Sequence, residues 1–384
     1  MKRILLSSIL FLLFFARTCW GADGLDIWTL HSSGLPSTNW LYDIAYGNDR
    51  FVAVGGSQLP PFGGSFPGAG LIATSADGTN WFQRTISSGT GTLLAVNRGP
   101  GLFVAVGRNS ALTSPDGAAW SFSSPGCYGG SAVSYGNNMF VVECGGSCYS
   151  STNGTTWTNR PLNLFESFIK DLAFGNSHFV AVVGGMGTGI STSSDGTVWR
   201  RSFSASGVVP ASVTYGIGVF AAVGNAGTIF RSTDEGMTWT KSNTGTRGNL
   251  LGVAYGGGVF VAVGSGGTIL SSLDGTNWKG RPSGVTNDLA AVTYGNGHFV
   301  AVGSSGVILE SGPVMHLDVP KVLSPGAVQF TVTGPVGQLC QIQVSTDLAN
   351  WVALTELLLA EPNTTFVIIS SEKQSRLFYQ IVSR

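Results

Sequence analysis

One phrase recurs seven times along this 384-residue chain, and it constrains the fold more than any other feature. Its clearest copy is AYGGGVFVAVGSGGTILSSLDGTNW at 254–278. Each copy opens with an apolar run, a Gly/Asn turn and a second apolar run. The seven openings are DIAYGNDRFVAVG (43–55), LLAVNRGPGLFVAVG (93–107), AVSYGNNMFVVEC (132–144), DLAFGNSHFVAVVG (171–184), SVTYGIGVFAAVG (212–224), GVAYGGGVFVAVG (252–264) and AVTYGNGHFVAVG (291–303). Two apolar runs joined by a short Gly/Asn turn predict a β-hairpin.

A second phrase closes the first six copies. It reads SADGTNW (75–81), SPDGAAW (114–120), STNGTTW (151–157), SSDGTVW (193–199), STDEGMTW (232–239) and SLDGTNW (272–278). The tryptophans therefore repeat about every forty residues, at 81, 120, 157, 199, 239 and 278. A period near forty with four short strands per unit predicts an all-β, seven-bladed β-propeller with four-stranded blades. Each blade reads as strand a (LxAYG), strand b (FVAVG), strand c (TILSS), the D-G turn and strand d from the Trp onward. The seventh copy stops at FVAVGSSGVILES without a D-G turn, while Asp26–Leu30 precedes the first copy as an orphan strand d. An N-terminal strand completing the last blade closes the ring and leaves no open edge. One blade cannot bury both of its faces, and a ring of blades can.

The ends of the chain read differently. Residues 1–21 have a basic start (Lys2, Arg3) and an apolar run from Ile4 to Ala16, with small residues before a cut at Ala22. This predicts a secretory signal peptide, hence a secreted, periplasmic or cell-surface protein with no stable membrane span after cleavage. The propeller is assigned to 22–313. Residues 314–384 lose the period but alternate like strands, as in AVQFTVTG, CQIQVSTD and RLFYQIVS, which predicts a small C-terminal β-sandwich.

Composition excludes several functions. Cleavage would leave 17 basic against 20 acidic residues with no basic block, so nucleic acid is not an expected partner. Cys127, Cys144 and Cys148 lie within 22 residues and are disulfide candidates in an exported protein, with no partner chosen between them. They lack a CxxC pair and a nearby histidine, so no zinc site is expected. No cofactor motif is present.

The turn phrase resembles the Asp-box of the sialidase-like, BNR-repeat propellers. Ser232, Asp234, Gly236, Thr238 and Trp239 match it in full, and the other five are one residue shorter. The resemblance covers roughly 27–312 and extends, at repeat level, to the photosystem assembly-factor branch, whose members bind proteins. Asp77, Asp116, Asn153, Asp195, Asp234 and Asp274, with Trp81, Trp120, Trp157, Trp199, Trp239 and Trp278, are read as structural. The carboxylate accepts N–H groups of its own turn, and the Trp wedges between blades. One carboxylate per loop is far short of calcium's six to eight oxygens, so no metal is expected.

The resemblance places recognition on the face of the d–a and b–c loops, opposite the Asp-boxes. The longest loop there is Gly55–Gly70, and the candidate binding residues are Trp40, Phe62, Phe66, Arg108 and Glu143. Acids outside the Asp-boxes that could reach this face are Glu143, Glu166, Asp43, Asp171 and Asp288. A glycosidase needs two convergent carboxylates, and a sialidase an arginine triad; Arg84, Arg108, Arg160, Arg201, Arg247 and Arg281 are scattered. His178 and His298 occupy equivalent repeat positions, which marks them as scaffold. The expected role is a non-catalytic binding or assembly module for a protein or cell-surface glycan. The alternatives are a divergent sialidase-like hydrolase or lyase, and a structural protein that only displays loops.

Overall fold

The structure is a computed structural model that describes residues 24–57, 68–108, 110–123, 129–160, 167–185, 187–204, 207–242, 244–317, 321–324, 327–334, 339–346, 350–361, 363–369 and 378–383. Seven four-stranded antiparallel sheets form the blades of a β-propeller. Their innermost strands, strand a of blades one to seven, are Asn39–Gly47, Leu93–Gly99, Gly130–Gly136, Ser167–Gly175, Pro210–Gly216, Leu250–Gly256 and Leu289–Gly295. In blades one to six the order a, b, c, d follows the chain. Blade seven takes its outer strand from the N-terminus: Trp28–His31 pairs antiparallel with Ile308–Ser311, Trp28 opposite Ser311 and His31 opposite Ile308.

The a–b hairpins close through two-residue turns. Both central residues take positive φ in Asn48–Asp49, Asn137–Asn138, Asn176–Ser177 and Gly257–Gly258. This is the geometry that Asn and Gly accommodate best and that matches strand twist. The glycine ending strand a has a different cause. An added Cβ at Gly136 would lie 2.1 Å from Phe174, and one at Gly175 would lie 2.0 Å from Tyr215. The ring closes the same way, with Gly295 facing Tyr46 at 2.2 Å. The AYG phrase repeats because in six blades the aromatic ring lies on the preceding blade's glycine, and in blade two Arg98 takes that place on Gly47.

The interior lies between blades. Phe51, Phe103, Phe179, Phe220, Phe260 and Phe299, from the FVAV strands, are fully buried. Trp81 packs with Val300, Val302 and Ile308 of blade seven, and Trp120 with Val52, Val54 and Ile72 of blade one. In the first turn, Ser75 Oγ donates to Asp77 Oδ1 (2.8 Å) and accepts from Gly78 N (2.9 Å). Asp77 Oδ1 also accepts Thr79 N and Asn80 N, while Trp81 Nε1 donates to Gly78 O (2.7 Å). Asn153 does the same work with its amide oxygen, accepting Thr155 N (2.9 Å) and Thr156 N (2.8 Å). One acceptor oxygen is what the turn requires.

Residues Leu25–Gly312 make one compact unit, and Pro313–Arg384 belong to a second. The second unit has two small sheets. One joins His316–Leu317, Lys321–Ser324 and Asn363–Ile369 to Ala327–Thr333, and the other joins Val352–Leu358 and Phe378–Ser383 to Leu339–Ser345. Phe330, Cys340, Ile342 and Tyr379 share one buried cluster. Among the described residues no helix is long and apolar enough to cross a membrane; the segment read as a signal peptide lies outside them.

Candidate functional site at the central channel

The seven strands a enclose a central cavity of about 430 Å³. Each carries a one-residue bulge near its start, at Tyr42, Leu94, Ser131, Lys170, Ala211, Leu251 and Ala290. A bulge re-aims its side chain, and all seven bulged residues line the cavity. They lie toward the loop face. The opposite end is marked by the a–b turns, which reach the next blade's D-G turn: Asn48 Nδ2 donates to Pro115 O (2.7 Å) and Asn137 Nδ2 to Ser194 O (2.9 Å).

In blades one, four and five the residue after the bulge links neighbouring blades. Asp43 Oδ2 accepts Val96 N of blade two at 2.8 Å, and its Oδ1 accepts Ile44 N. Asp171 Oδ2 accepts Ser212 Oγ (2.7 Å) and Val213 N (2.9 Å) of blade five. Ser212 Oγ in turn accepts Val253 N of blade six (3.3 Å). Burial inside the ring pushes Asp43 up to about 7 and Asp171 up to about 6. The two carboxyls also repel each other, which adds to the rise at Asp43. Burial lowers Lys170 as well. Among the described residues no three His, Cys, Asp or Glu side chains converge as a metal site requires.

The candidate binding residues separate. Trp40 stacks on Tyr42, ring centroids 5.8 Å apart and planes 26° apart, which joins a half-exposed indole to a cavity-lining ring. Arg108 is half-buried at the b–c turn of blade two, its N–H donating to Thr92 O (2.8 Å). Phe62, Phe66, Cys127 and Glu166 lie outside the described residues. Glu143 is not a surface contact: it is 2% exposed. It lies opposite Ala132 on strand b, a register position held by Val54, Val106, Val182, Val223, Val263 and Val302 in the other six blades. Strand alternation puts that position inside.

Of the two cysteines flanking the blade-three b–c turn, Cys144 is disulfide-bonded and Cys148 is free and buried. The turn pairs Cys144 with Ser147 and Glu143 with Cys148, so the two thiols point to opposite faces of the blade. Cys144 packs with Val106 of blade two and Cys148 with Ile169 of blade four. Burial pushes the Cys148 thiol up to about 12. Cys340 is also free and buried.

The arginines do not form a triad. Arg84, Arg160 and Arg281 each stand three residues after a tryptophan, in blades one, three and six. Their Nε groups donate to Thr74, Ser150 and Ser271 of the adjacent strand c. The same position carries Ser123, whose hydroxyl reaches Gly154 O of blade three, and His31, which lies 2.9 Å from Glu310. His31 is thus the last residue of the closing strand. His178 and His298 lean on backbone oxygens of Asn176 and Ser311. The bulge ring and the links after it were missed by sequence reasoning. Their signal was available as the residue preceding each D/A/S/G-[ILV]-x-x-G phrase.

No protein-family model and no curated protein matches the sequence. Solved structures do. YCF48 from Cyanidioschyzon merolae is 17% identical, with 74% of this chain and 98% of that one covered and a TM-score of 0.54. YCF48 bound to D1 peptide is 18% identical, with 77% and 99% covered and a TM-score of 0.60. An inactive virginiamycin B lyase from Staphylococcus aureus with quinupristin is 11% identical, with 74% and 99% covered and a TM-score of 0.61. Likeness at this identity is a shared fold.

Proposed function

We propose that this chain is an exported, non-catalytic recognition propeller that holds an extended segment of a protein partner at the loop-face mouth of its channel. The observation that carries this reading is the Trp40–Tyr42 stack, a half-exposed aromatic pair continuous with the cavity lining. Aromatic side chains supply contact area at low entropic cost and are enriched at interfaces. The acids nearest to a catalytic pair, Asp43 and Asp171, have both oxygens engaged, Oδ2 by the neighbouring blade and Oδ1 by the next N–H of their own strand. That arrangement suits a rigid receptor better than bond cleavage. A propeller of the same fold, YCF48, holds a peptide in its solved structure, which makes a peptide segment the partner class to test first.

The test is a peptide-library selection on the immobilised full chain, with a glycan array in parallel. Trp40→Ala should weaken the selected peptides by about tenfold or more, as truncating a buried aromatic anchor does, with thermal unfolding unchanged. Unchanged affinity would move the site away from the channel mouth. A glycan signal without any peptide signal would replace the protein partner by a carbohydrate.

A further inference from the structure

Glu143 and Ser131 present a proton-counting problem. Ser131 Oγ is within hydrogen-bonding distance of two oxygens, Glu143 Oε2 and the backbone oxygen of Ile169 in blade four, the latter at 2.6 Å. A serine hydroxyl has one proton. The Ile169 carbonyl has none to give, so a separate hydrogen bond to each oxygen takes a second proton, and the carboxyl group, which also receives the Ser131 backbone N–H, is the group that can carry it. The other carboxyl oxygen, Oε1, accepts Gly146 N at 3.0 Å. Glu143 also fills a position that is valine in the other six blades. No described lysine, arginine or histidine forms an ion pair with it.

We propose that Glu143 is a neutral carboxylic acid in the folded protein and forms, with Ser131, a proton-dependent joint between blades three and four. The Glu143 O–H donates to Ser131 Oγ, and the Ser131 O–H donates to Ile169 O. Loss of the carboxyl proton turns the serine hydroxyl toward the carboxylate and releases Ile169 O, so the blade-to-blade link breaks. The joint lies at the loop-face end of the channel, beside the disulfide-bonded Cys144, so it couples pH to the presentation of that face. Titratable groups on the packed elements are Cys148 on strand c of the same blade, and Lys170 and Asp171 on strand a of blade four. Burial raises Glu143 above the usual carboxylate range, in accord with the geometry. The sign follows: an acid raised on folding stabilises below its unfolded pKa, and that stability is lost as pH rises through the folded value.

Cys148 reports on the joint, because it is a free thiol buried in the same interface with Ile169 and Trp199. Maleimide labelling of the full chain, read by peptide mass so that Cys340 is counted separately, is compared between wild type and Glu143→Gln. Glutamine keeps a donor for Ser131 Oγ and cannot ionise. The ratio of wild-type to variant Cys148 labelling rates should climb by about tenfold or more from about pH 5 to about pH 9, one proton being worth tenfold per pH unit. A flat ratio overturns the proposal. Should Glu143→Gln not fold, infrared spectra of the wild type and Ser131→Ala decide. The protonated-carboxyl stretch at neutral pH should shift when the serine is removed, and an unshifted spectrum overturns the joint.

Discussion

At the scale of single residues, the repeat explains itself through its exceptions. Asn153 replaces the aspartate of the other D-G turns without loss because the turn draws on one acceptor oxygen. Ile217 is a less comfortable exception. It sits in an a–b turn at φ 45°, where other blades place Asn48, Asn137, Asn176, Gly257 or Asn296. Its side chain is more than half exposed, at 56%. A β-branched residue held left-handed costs about 1–2 kcal/mol, so Ile217→Asn should raise stability by about 1 kcal/mol in chemical denaturation. Equal or lower stability would mean that the turn is held by something other than its own backbone preference. Glu143 is the instructive misreading at this scale. Its polarity suggested a surface, and only its register with six valines shows it to be inside.

At the scale of elements, the ring depends on four residues from the other end of the chain. Trp28–His31 supplies the outer strand of blade seven, and Arg281 of blade six anchors the segment before it through Asp26 (2.6 Å). His31 lies 2.9 Å from Glu310, at the strand positions where Arg84, Arg160 and Arg281 reach Thr74, Ser150 and Ser271 in their own blades. A chain beginning at Ser32 would leave Ile308–Ser311 as an open edge. Amide exchange in Ile308–Ser311 should then accelerate by about tenfold or more, since local opening free energies fall when a flanking strand is lost, and the open edge should promote aggregation. Unchanged exchange would show that the blade closes without this strand. The existence of that orphan strand was legible from the missing D-G turn at the far end. The seven bulges were not, because a bulge follows from how strand a bends into a ring.

At the scale of the whole molecule, the aspartates divide into two groups with opposite pH behaviour. Burial would raise Asp274, but the N–H donors of Asn277 and Thr276 outweigh it and hold it at about 2. Asp77, Asp116, Asp195 and Asp234 are lowered as well. Their stabilisation is present above the ordinary value of 3.8 and is lost as pH falls below it. Asp43 and Asp171 are raised to about 7 and about 6, so their stabilisation is present below 3.8 and is lost as pH rises to neutrality. The aspartate contribution therefore peaks near pH 4, acidic of the usual range. Denaturation from about pH 4 to about pH 7 should show stability falling, and Asp43→Asn should remove about a tenfold change in the unfolding equilibrium per pH unit. A slope unchanged by that substitution would show that the Asp43 carboxyl is solvated in the channel.

The sequence by itself determined the number of blades, the four strands in each, the D-G turns and the strand that closes the ring. Those features rest on local chemistry repeated at a fixed period: turn residues, alternation and the spacing of tryptophans. The tertiary structure decided what the period cannot carry. It put Glu143 inside and made Cys144 rather than Cys148 the disulfide-bonded partner, because a two-residue turn sets which face each side chain takes. It brought Asp43 and Asp171, 128 positions apart in the chain, into one cavity. It also turned Arg84, Arg160 and Arg281 into separate ties within three blades. Convergence and burial are properties of the closed ring, and no stretch of chain shorter than the ring contains them.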